Sequence, residues 1–471
     1  MSSPSTGVAL PEGVLSLVAG YLGRQRWFSG EQAPDPTALR VVDADQLARA
    51  NGGSSRLLWA IVAVRSDAPD TPGASDDGAA EIRYQLLIGE RPNGEPAEFL
   101  NGHEPSVLGS VGDRYYYDAT VDPVLALAWL NVITDGSVTA EWVRPVNVEQ
   151  SNTSLVFDNR LIAKMFRRLL DGPNPDVEVT EALARVGFSH VAQPAAVWRK
   201  DGTDLAFVQQ FLAGGTEGWA LALTSLRDLY SYRPDDPADA GGDFAHEACR
   251  LGHMTAEMHL AMAEAFGIDL EQFPAAGWPA VVAEIENGLR AQLGEGFSGP
   301  AEQILDRLRA VSDPGPAIRV HGDYHLGQVM RTDDGWFVLD FEGEPARDMS
   351  ERLAFRSPFK DVTGMLRSFH YAAHFALLEQ EEHVQEELGA LADWWESHNR
   401  QAFLDGYFAT PGIAALLPDQ REVGEVVSLA FELQKAVYEL AYERAYRPDW
   451  IPIPSAAIGR MLAGSYRGLN G

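Results

Sequence analysis

The chain has 471 residues, which is too long for one ordinary core and predicts about two to four domains or subdomains. Hydrophobic residues make up 45% of it, so each part can bury a core, and a disordered or collagen-like chain is excluded. The formal net charge of −31 argues against nucleic acid and anionic membrane surfaces as partners, because both attract clustered Lys and Arg.

The N-terminal sequence and the cysteine content predict a reduced, cytoplasmic protein. The first cation is Arg24, so the start of the chain lacks the basic region of a secretory signal. The most apolar stretch, 124–133, has about half the length that crosses a bilayer. The single cysteine, Cys249, excludes an intrachain disulfide and a thiolate-rich zinc site.

The first 90 residues predict a short helix followed by a β-hairpin. The helix covers 11–24 and ends at Gly23, and the two strand-like runs are 56–65 and 81–90. The segment 66–80 between these runs is rich in Pro, Gly and Asp and has no apolar periodicity. It therefore predicts a mobile hairpin loop.

The next 120 or so residues predict a mainly β-rich region. Val, Ile and Phe are frequent in its short apolar runs, and turn residues separate the runs. Asn174 and Pro175 have the residue types of an N-cap and a first helical position. The predicted elements are a helix at 123–134, strands at 154–157, 161–166 and 205–212, a tight turn at 158–160, and a helix from 174 to about 185.

Beyond residue 218 the apolar period changes to about 3.6 residues, which predicts long helices. These helices cover 216–230, 246–266, 279–293, 300–311, 362–375, 383–409 and 421–446. One pair of short strands, 317–320 and 330–341, interrupts them, and Pro452 and Pro454 predict an extended exit after the last helix. A β-rich first part and a helical second part predict an α+β fold with two lobes.

The strongest chemical signal is the run from His321 to Asp323, with Gln328 five residues after the aspartate. The next apolar strand ends at Asp340. Phosphoryl transfer from Mg·ATP needs one carboxylate for the attacking hydroxyl, and a second carboxylate with a neutral oxygen for the metal ion. The spacing predicts Asp323 as the catalytic base and Gln328 and Asp340 as Mg²⁺ ligands. A zinc site of His321, Asp323 and His325 is the alternative, but it leaves Gln328 and Asp340 unexplained.

Lys164 is the lone cation in an apolar strand, and a lysine there can reach the α- and β-phosphates of ATP. An acid on the next helix would orient it. Glu178 and Glu181 lie on one face of that helix, and we prefer Glu178 because it is in the first turn. The alternative is an edge-strand lysine that points to water.

Two further segments are predicted to contact the nucleotide. The small polar residues Ser151, Asn152 and Thr153 enter the strand pair before Lys164 and could cover the phosphates, although a plain turn also explains them. By chain order, Gln209, Phe211 and Leu212 form the hinge whose backbone groups receive adenine.

The run HGDYHLGQVMRTDDGWFVLDFEGEP, followed by SPFKDVTGMLRSFHYAA, resembles the actinobacterial maltokinases, which belong to the aminoglycoside-phosphotransferase-like branch of the kinase fold. Further matches are RQRWFSG, EQSNTSLVF, AKMFRR, NPDVE, GWALA, GGDFAHEACRLG and LQKAVYELAYERAYRPDWIPIP. The resemblance implies a bilobal, protein-kinase-like fold. It implies a cap subdomain over 1–90, a nucleotide-binding N-lobe over 91–212 and a helical C-lobe over 213–471.

The resemblance also implies ATP-dependent phosphorylation of maltose at its anomeric hydroxyl, with Mg²⁺ as cofactor. The product, maltose 1-phosphate, would feed α-glucan (glycogen) synthesis from trehalose, which links the protein to the enzymes of that route. We expect a monomer. A kinase for another sugar such as glucosamine, a kinase for a cationic substrate, and a catalytically dead sugar sensor remain as alternatives.

The last long helix is suited to a sugar, because four polar and aromatic residues lie on one face of it. Hydrogen bonds and aromatic stacking hold sugars, and this face offers both, although tyrosines at such spacing also pack in cores. We predict that these residues, together with two near the catalytic loop, contact the substrate: Lys435, Tyr438, Glu439, Tyr442, His325 and Glu342.

Overall fold

The computed structural model describes residues 10–30, 32–66, 80–146, 152–233, 243–294, 299–344, 347–378, 380–464 and 469. It divides into two compact units, one formed by 1–178 and 192–213 and the other by 179–191 and 214–471. The predicted hairpin loop at 66–80 lies almost entirely outside the described residues.

The first unit begins with helix α1 and an antiparallel sheet. Its strands lie in the order β1-β2-β3-β5-β4. The boundary predicted at residue 90 falls inside β3, because two later strands complete the same sheet. The elements are α1 (Val14–Leu22), β1 (Leu39–Ala50), β2 (Ser55–Ser66), β3 (Ala80–Pro92), β4 (Val107–Val111) and β5 (Arg114–Asp118).

Strand β2 is apolar from Leu57 to Val64 because both of its faces are covered there. Leu58 and Ala60 pack in a core with α1, whereas Leu57 and Trp59 point the other way, into a core shared with the second sheet of this unit. Alternate side chains of a strand point to opposite faces, so a strand buried on both sides needs apolar residues at every position.

The second sheet has the strand order β10-β11-β8-β7-β6, so β8, which carries Lys164, lies at its centre. Residues 158–160 connect the paired ends of β7 and β8, and Asp158 and Asn159 have φ of 51° and 49°, the left-handed conformation of the tight turns that join hairpin strands. The elements are α2 (Pro123–Ile133), β6 (Val143–Val146), β7 (Asn152–Phe157), β8 (Leu161–Phe166), β9 (Arg168–Leu169), α3 (Pro175–Arg185), β10 (Pro194–Lys200) and β11 (Thr203–Gln210). The short β9 pairs with β3 of the first sheet.

The second unit is mainly helical, as predicted. Its strands and short helix are β12 (Thr216–Glu217), β13 (Ile268–Asp269), β14 (Ala317–Ile318), β15 (Val329–Thr332), β16 (Gly335–Val338) and α8 (Met349–Arg352). Its longer helices are α4 (Gly218–Tyr232), α5 (Ala245–Phe266), α6 (Trp278–Leu293), α7 (Gly299–Arg309), α9 (Phe359–Leu378), α10 (Glu382–Ala409), α11 (Arg421–Tyr446) and α12 (Pro452–Leu462). No helix in the described ranges is long and apolar enough to cross a bilayer.

Helices α5 and α10 pack at the centre of this unit in close contact. A Cβ atom on Gly252 would lie 2.0 Å from the carbonyl oxygen of Phe403, so only glycine permits this approach. The helices form one core with β14, β16 and α9.

Two predictions for this unit were wrong. The segments 317–320 and 330–341 do not pair with each other: β14 pairs with β13, and β15 and β16 form a hairpin of their own. The Asp333–Gly335 segment is a turn signal that divides the second segment. The predicted extended exit is helix α12, because Pro452 lies in its first turn, where a proline lacks no needed N–H group.

A buried ion pair stabilises the first unit, and its removal gives a testable stability prediction. Arg167 is 1% exposed and contacts Asp118 through Nη2, and its Nε donates to Thr153 Oγ1 at 2.8 Å. Arg167→Met would leave the Asp118 charge buried without its cation. We expect the free energy of unfolding to fall by about 3–5 kcal/mol, measured by urea denaturation followed by tryptophan fluorescence.

The matched control is Arg40→Met, which removes the exposed pair between Arg40 and Glu81. An exposed pair contributes at most about 1 kcal/mol. Equal losses in the two variants would show that burial of the Arg167 pair does not matter.

Candidate active site

The predicted catalytic loop follows β14 and is held by one buried carboxylate, that of Asp361 in the first turn of α9. The His321 N–H donates to Asp361 Oδ2 at 2.7 Å, and the Gly322 N–H donates to Oδ1 at 2.9 Å. His259 Nε2 lies 3.2 Å from Oδ2. Burial alone would raise the pKa of Asp361, but His259 and the backbone donors outweigh it and hold the pKa below its ordinary value.

Two more turns of α9 also contact the loop. A Cβ atom on Gly364 would lie 2.6 Å from the Tyr324 carbonyl oxygen, so the glycine lets the loop reach the helix backbone. One turn further, Ser368 Oγ accepts a hydrogen bond from the Leu326 N–H at 3.0 Å. Residues 361, 364 and 368 are spaced to share one helical face, and the catalytic loop packs against that face.

Asp323 faces Lys435, which reaches it from α11. Lys435 Nζ lies 3.3 Å from Asp323 Oδ1 and 3.3 Å from Glu344 Oε1. Burial would raise the pKa of Asp323, but Lys435 and the nearby His325 outweigh it, so the pKa lies below the ordinary value. Burial would lower the pKa of Lys435, but Asp323 and Glu344 outweigh it, so this pKa lies above the ordinary value. At neutral pH the pair is therefore a carboxylate and an ammonium group.

A backbone hydrogen bond links Gln328 to the residue before Asp340. The Leu339 N–H donates to the Gln328 carbonyl at 2.9 Å, and Asp340 is the next residue. Asp340 has a φ of 59°, a conformation that is uncommon outside glycine and concentrates at functional sites. A carboxylate and an amide oxygen are donor types that Mg²⁺ accepts, so these residues fit the predicted ion.

The zinc alternative fails at His321. Its Nε2 lies 2.9 Å from the Leu339 carbonyl, to which it donates, and its Nδ1 accepts from the Asp323 N–H at 3.4 Å. Both ring nitrogens therefore contact backbone groups, and neither is left to bind a metal ion.

A cavity of about 690 Å³ opens beside Asp323. It contains five of the six predicted substrate residues, namely His325, Lys435, Tyr438, Glu439 and Tyr442. Glu342 is not among its lining residues in the described part of the chain. The face of α11 that the sequence indicated is thus a wall of the cavity.

Two acids of this wall are paired with arginines. Arg367 donates to Glu439 Oε2 through Nη2 at 2.6 Å and through Nε at 3.0 Å. Arg447 Nη2 donates to Glu443 Oε1 at 3.0 Å. Burial raises the pKa of Glu439, and Arg367 only partly offsets it. One carboxylate oxygen of Glu439 is thus used within the protein.

Aromatic rings form much of the remaining lining. Tyr438 and Tyr442 are stacked on α11 with ring centroids 6.4 Å apart. The Arg447 guanidinium lies 4.2 Å from the centroid of Trp450, and Trp219 and Tyr371 complete this side. Sequence analysis missed Trp219 and Tyr371, because they lie on α4 and α9 and no local pattern connects them with α11.

The first unit holds the predicted nucleotide residues. Lys164 Nζ lies 3.2 Å from Asp176 Oδ2, on the helix where an acid was expected. Sequence analysis did not name Asp176, which is buried in the same first turn as the exposed Glu178. Because β8 is central in its sheet, the edge-strand alternative for Lys164 is wrong. Glu178 stays a prediction.

The other nucleotide segments are only partly described. Ser151 lies outside the described residues, and Asn152 and Thr153 begin β7. The Phe211 N–H donates to the Arg160 carbonyl at 2.9 Å, so it is already used within the unit. Gln209 ends β11 with its neighbour Gln210, and Leu212 follows the strand. The adenine contacts of Gln209 and Leu212 stay predictions.

Two family models match the chain. The model of the phosphotransferase enzyme family matches residues 142–344, and the model of the maltokinase N-terminal cap domain matches residues 21–122. The first match includes the β6–β11 sheet and the catalytic loop. The second match includes β1–β5 and ends where α2 begins.

Relatives of known function are similar over most of the chain. A glucosamine kinase of Mycolicibacterium smegmatis is 27% identical over 338 residues, which are 69% of this chain and 81% of the relative. A glucosamine kinase of Streptacidiphilus jiangxiensis is 27% identical over 344 residues, which are 69% of this chain and 74% of the relative.

A solved glucosamine kinase in complex with glucosamine, ADP and inorganic phosphate has a similar fold. The TM-score is 0.65 at 20% identity, and the match covers 96% of this chain and all of the solved chain. The predicted α+β, kinase-like fold with an N-terminal cap is confirmed.

The buried Asp361 carboxylate predicts how stability depends on pH. Its folded-state pKa is lowered, so its contribution to stability is present above the unfolded pKa and is lost as the pH falls below about 4. Asp361→Asn should therefore lower the melting temperature strongly at pH 7 and much less at pH 3, measured by thermal denaturation. The control, Asp228→Asn, changes an exposed surface pair and should have little effect at either pH. A deficit of equal size at both pH values would contradict this role of the Asp361 charge.

Proposed function

We propose that the protein transfers the γ-phosphoryl group of ATP to the anomeric hydroxyl of maltose, because the phosphotransferase family model matches residues 142–344 and the maltokinase cap-domain model matches residues 21–122. The products would be maltose 1-phosphate and ADP, and the former would feed α-glucan synthesis. The observation that carries the proposal is the cavity in which Asp323 meets paired acids and aromatic rings.

Asp323 would orient the attacking hydroxyl and accept its proton as the bond to phosphorus forms. A carboxylate with a lowered pKa is a weak base, and phosphoryl transfer needs mainly positioning because its transition state is loose. Lys435 keeps Asp323 ionised and fixes its orientation through the 3.3 Å contact. Glu344 contacts the same ammonium group, so Asp323 shares the positive charge of Lys435 with a second carboxylate.

Gln328 and Asp340 would hold Mg²⁺, which neutralises charge on the phosphates when bound. Lys164 would contact the α- and β-phosphates, oriented by Asp176 at 3.2 Å. Asn152 and Thr153 would lie near the phosphates as well.

Maltose is favoured over smaller or charged acceptors by the size and the charges of the cavity. A volume of about 690 Å³ lies within the range of about 300–1,000 Å³ that holds drug-sized ligands, so a second sugar ring is compatible with it. Glu439 and Glu443 are already paired with arginines, and Lys435 is itself a cation. A neutral sugar with many hydroxyl groups suits this lining, with the tyrosine rings as stacking surfaces.

Glucosamine is the second candidate substrate. The relatives named as glucosamine kinases favour it, and so does one acid of the cavity, Glu217. Among the described residues no cation is found to pair with Glu217, and burial raises its pKa. A substrate ammonium group near Glu217 would supply that cation.

A sugar panel tests the proposal directly. With ATP and Mg²⁺, the enzyme should form a sugar 1-phosphate from maltose, detected by ³¹P NMR, and should turn over glucosamine more slowly. Asp323→Asn should lower the rate by a factor of about 10² to 10⁴, because it removes the group that orients and deprotonates the hydroxyl. Its circular dichroism spectrum and its ATP affinity should stay close to wild type.

If the enzyme turned over glucosamine faster than maltose, glucosamine rather than maltose would be its substrate. If Asp323→Asn retained more than half of the wild-type rate, the role of Asp323 would be wrong for either sugar.

A tyrosine of the cavity wall tests the acceptor site separately. Tyr438→Ala removes a ring that stands beside Lys435, and we expect the KM for maltose to rise about tenfold while the KM for ATP changes less than twofold. The control is Tyr446→Ala on the same helix, which is 71% exposed and is not part of the cavity lining. If Tyr438→Ala left the KM for maltose unchanged, the acceptor would bind elsewhere.

A further inference from the structure

A cluster of histidine and acidic side chains lies on α9, away from the catalytic loop. His370 and His374 are four residues apart, so they lie on one face of the helix. With 3.6 residues per turn, this face is on the opposite side of α9 from Asp361 and Ser368. Glu396 faces the pair from α10.

The distances in this cluster suit one small cation. His370 Nδ1 lies 2.8 Å from Glu396 Oε2, and His374 Nε2 lies 3.7 Å from the same oxygen. Nitrogen and oxygen ligands bind zinc at about 2.0–2.2 Å, which puts tetrahedral ligand atoms roughly 3.4 Å apart. Asp393 Oδ1, at 3.9 Å from His374 Nε2, could provide a fourth ligand.

The hydrogen bonds of the cluster are incomplete without a cation. His370 is fully buried, and an uncharged imidazole ring carries only one N–H group. Its two nitrogens nevertheless face two oxygen acceptors, Glu396 Oε2 and the Ile453 carbonyl at 3.3 Å. The buried Nε2 of His374 has no hydrogen-bond partner among the described residues.

In this structure an arginine supplies positive charge between His370 and Glu396. Arg460 Nη2, from α12, lies 3.0 Å from His370 Nδ1 and 3.6 Å from Glu396 Oε2. Arg460 is 39% exposed at its side chain, so it can turn outward without leaving a buried charge unpaired. Arg400 also stands near Glu396, at 3.7 Å, and balances part of its charge.

We propose that His370, His374 and Glu396 form a binding site for a divalent transition-metal ion of the zinc class, which takes the place of the Arg460 guanidinium. Two imidazoles and one carboxylate are ligands that zinc accepts, whereas Mg²⁺ prefers oxygen ligands alone. The ion would connect α9 to α10 on the side of α9 remote from the catalytic loop.

Zinc binding to the full-length protein tests this site. Titration of ZnCl₂ is followed by calorimetry with millimolar Mg²⁺ present throughout, so that oxygen-rich sites are occupied. His374→Ala should weaken zinc binding at least tenfold, because it removes one ligand. Arg460→Met should strengthen zinc binding, because it removes the competing cation. His383→Ala, an exposed histidine at the start of α10, should bind zinc as wild type does.

Circular dichroism checks the fold of His374→Ala. If that variant misfolds, the zinc affinity of Arg460→Met still tests the proposal. Absorption of the Co²⁺-loaded protein in the visible region should show the intense bands of a tetrahedral site, and these bands should be absent in His374→Ala. Unchanged zinc affinity in both His374→Ala and Arg460→Met would overturn the proposal. So would weaker zinc binding in Arg460→Met, because the arginine would then support the ion rather than compete with it.

Discussion

The arrangement of the second unit depends on the burial of one negative charge, that of Asp361. An unpaired carboxylate in a protein interior costs several kcal/mol, so this one is stable only with its donors in place. Those donors are the backbone N–H groups of His321 and Gly322 and the ring of His259. A loop conformation that withdrew either N–H would leave the charge unsatisfied, and this requirement fixes the residues next to Asp323.

The charges around Asp323 alternate in sign across four segments. Asp323 is followed by Lys435, Glu344, Arg347 and Glu284, each in contact with the next. The series joins the catalytic loop to α11, to the segment after β16 and to α6. Each acid of the series contacts a cation of the protein, so a cationic substrate would have to compete with these internal pairs. Selection by hydroxyl groups and ring faces then has to supply specificity, and buried polar groups left unpaired by a wrong substrate make such selection sharp.

The sequence predicted most helices and the catalytic pattern because both are local. A 3.6-residue period and the spacing of Asp323, Gln328 and Asp340 are visible within short windows. The turn of the β7–β8 hairpin was equally local. Strands β1, β4 and β5 were missed, because they are short or irregular and are stabilised mainly by neighbours in the sheet.

Other parts of the site could not be read from the sequence because they depend on tertiary contacts. Lys435 was expected to grip a sugar, and only the fold shows that it contacts Asp323, 112 residues away. Asp176 was overlooked in favour of Glu178, because periodicity cannot show which of two acids in one helical turn points inward. Helix α12 was missed since its prolines were interpreted as a stop, although prolines are equally compatible with the first turn of a helix.

Helix α9 contributes to three distinct features, and its packing decides how they can influence each other. Asp361 holds the catalytic loop, Arg367 contacts Glu439 of the cavity, and His370 and His374 lie on the side of the helix opposite Asp361. A ligand on the histidine face could change the loop only if α9 had two positions that bind the ligand with different affinity. Gly364 lies against the loop backbone and most of the helix is buried, so a shift of α9 would break close contacts on several sides at once. An ion at the histidines would therefore stabilise the existing position of α9, and its influence on the active site would be to rigidify the loop rather than to switch it.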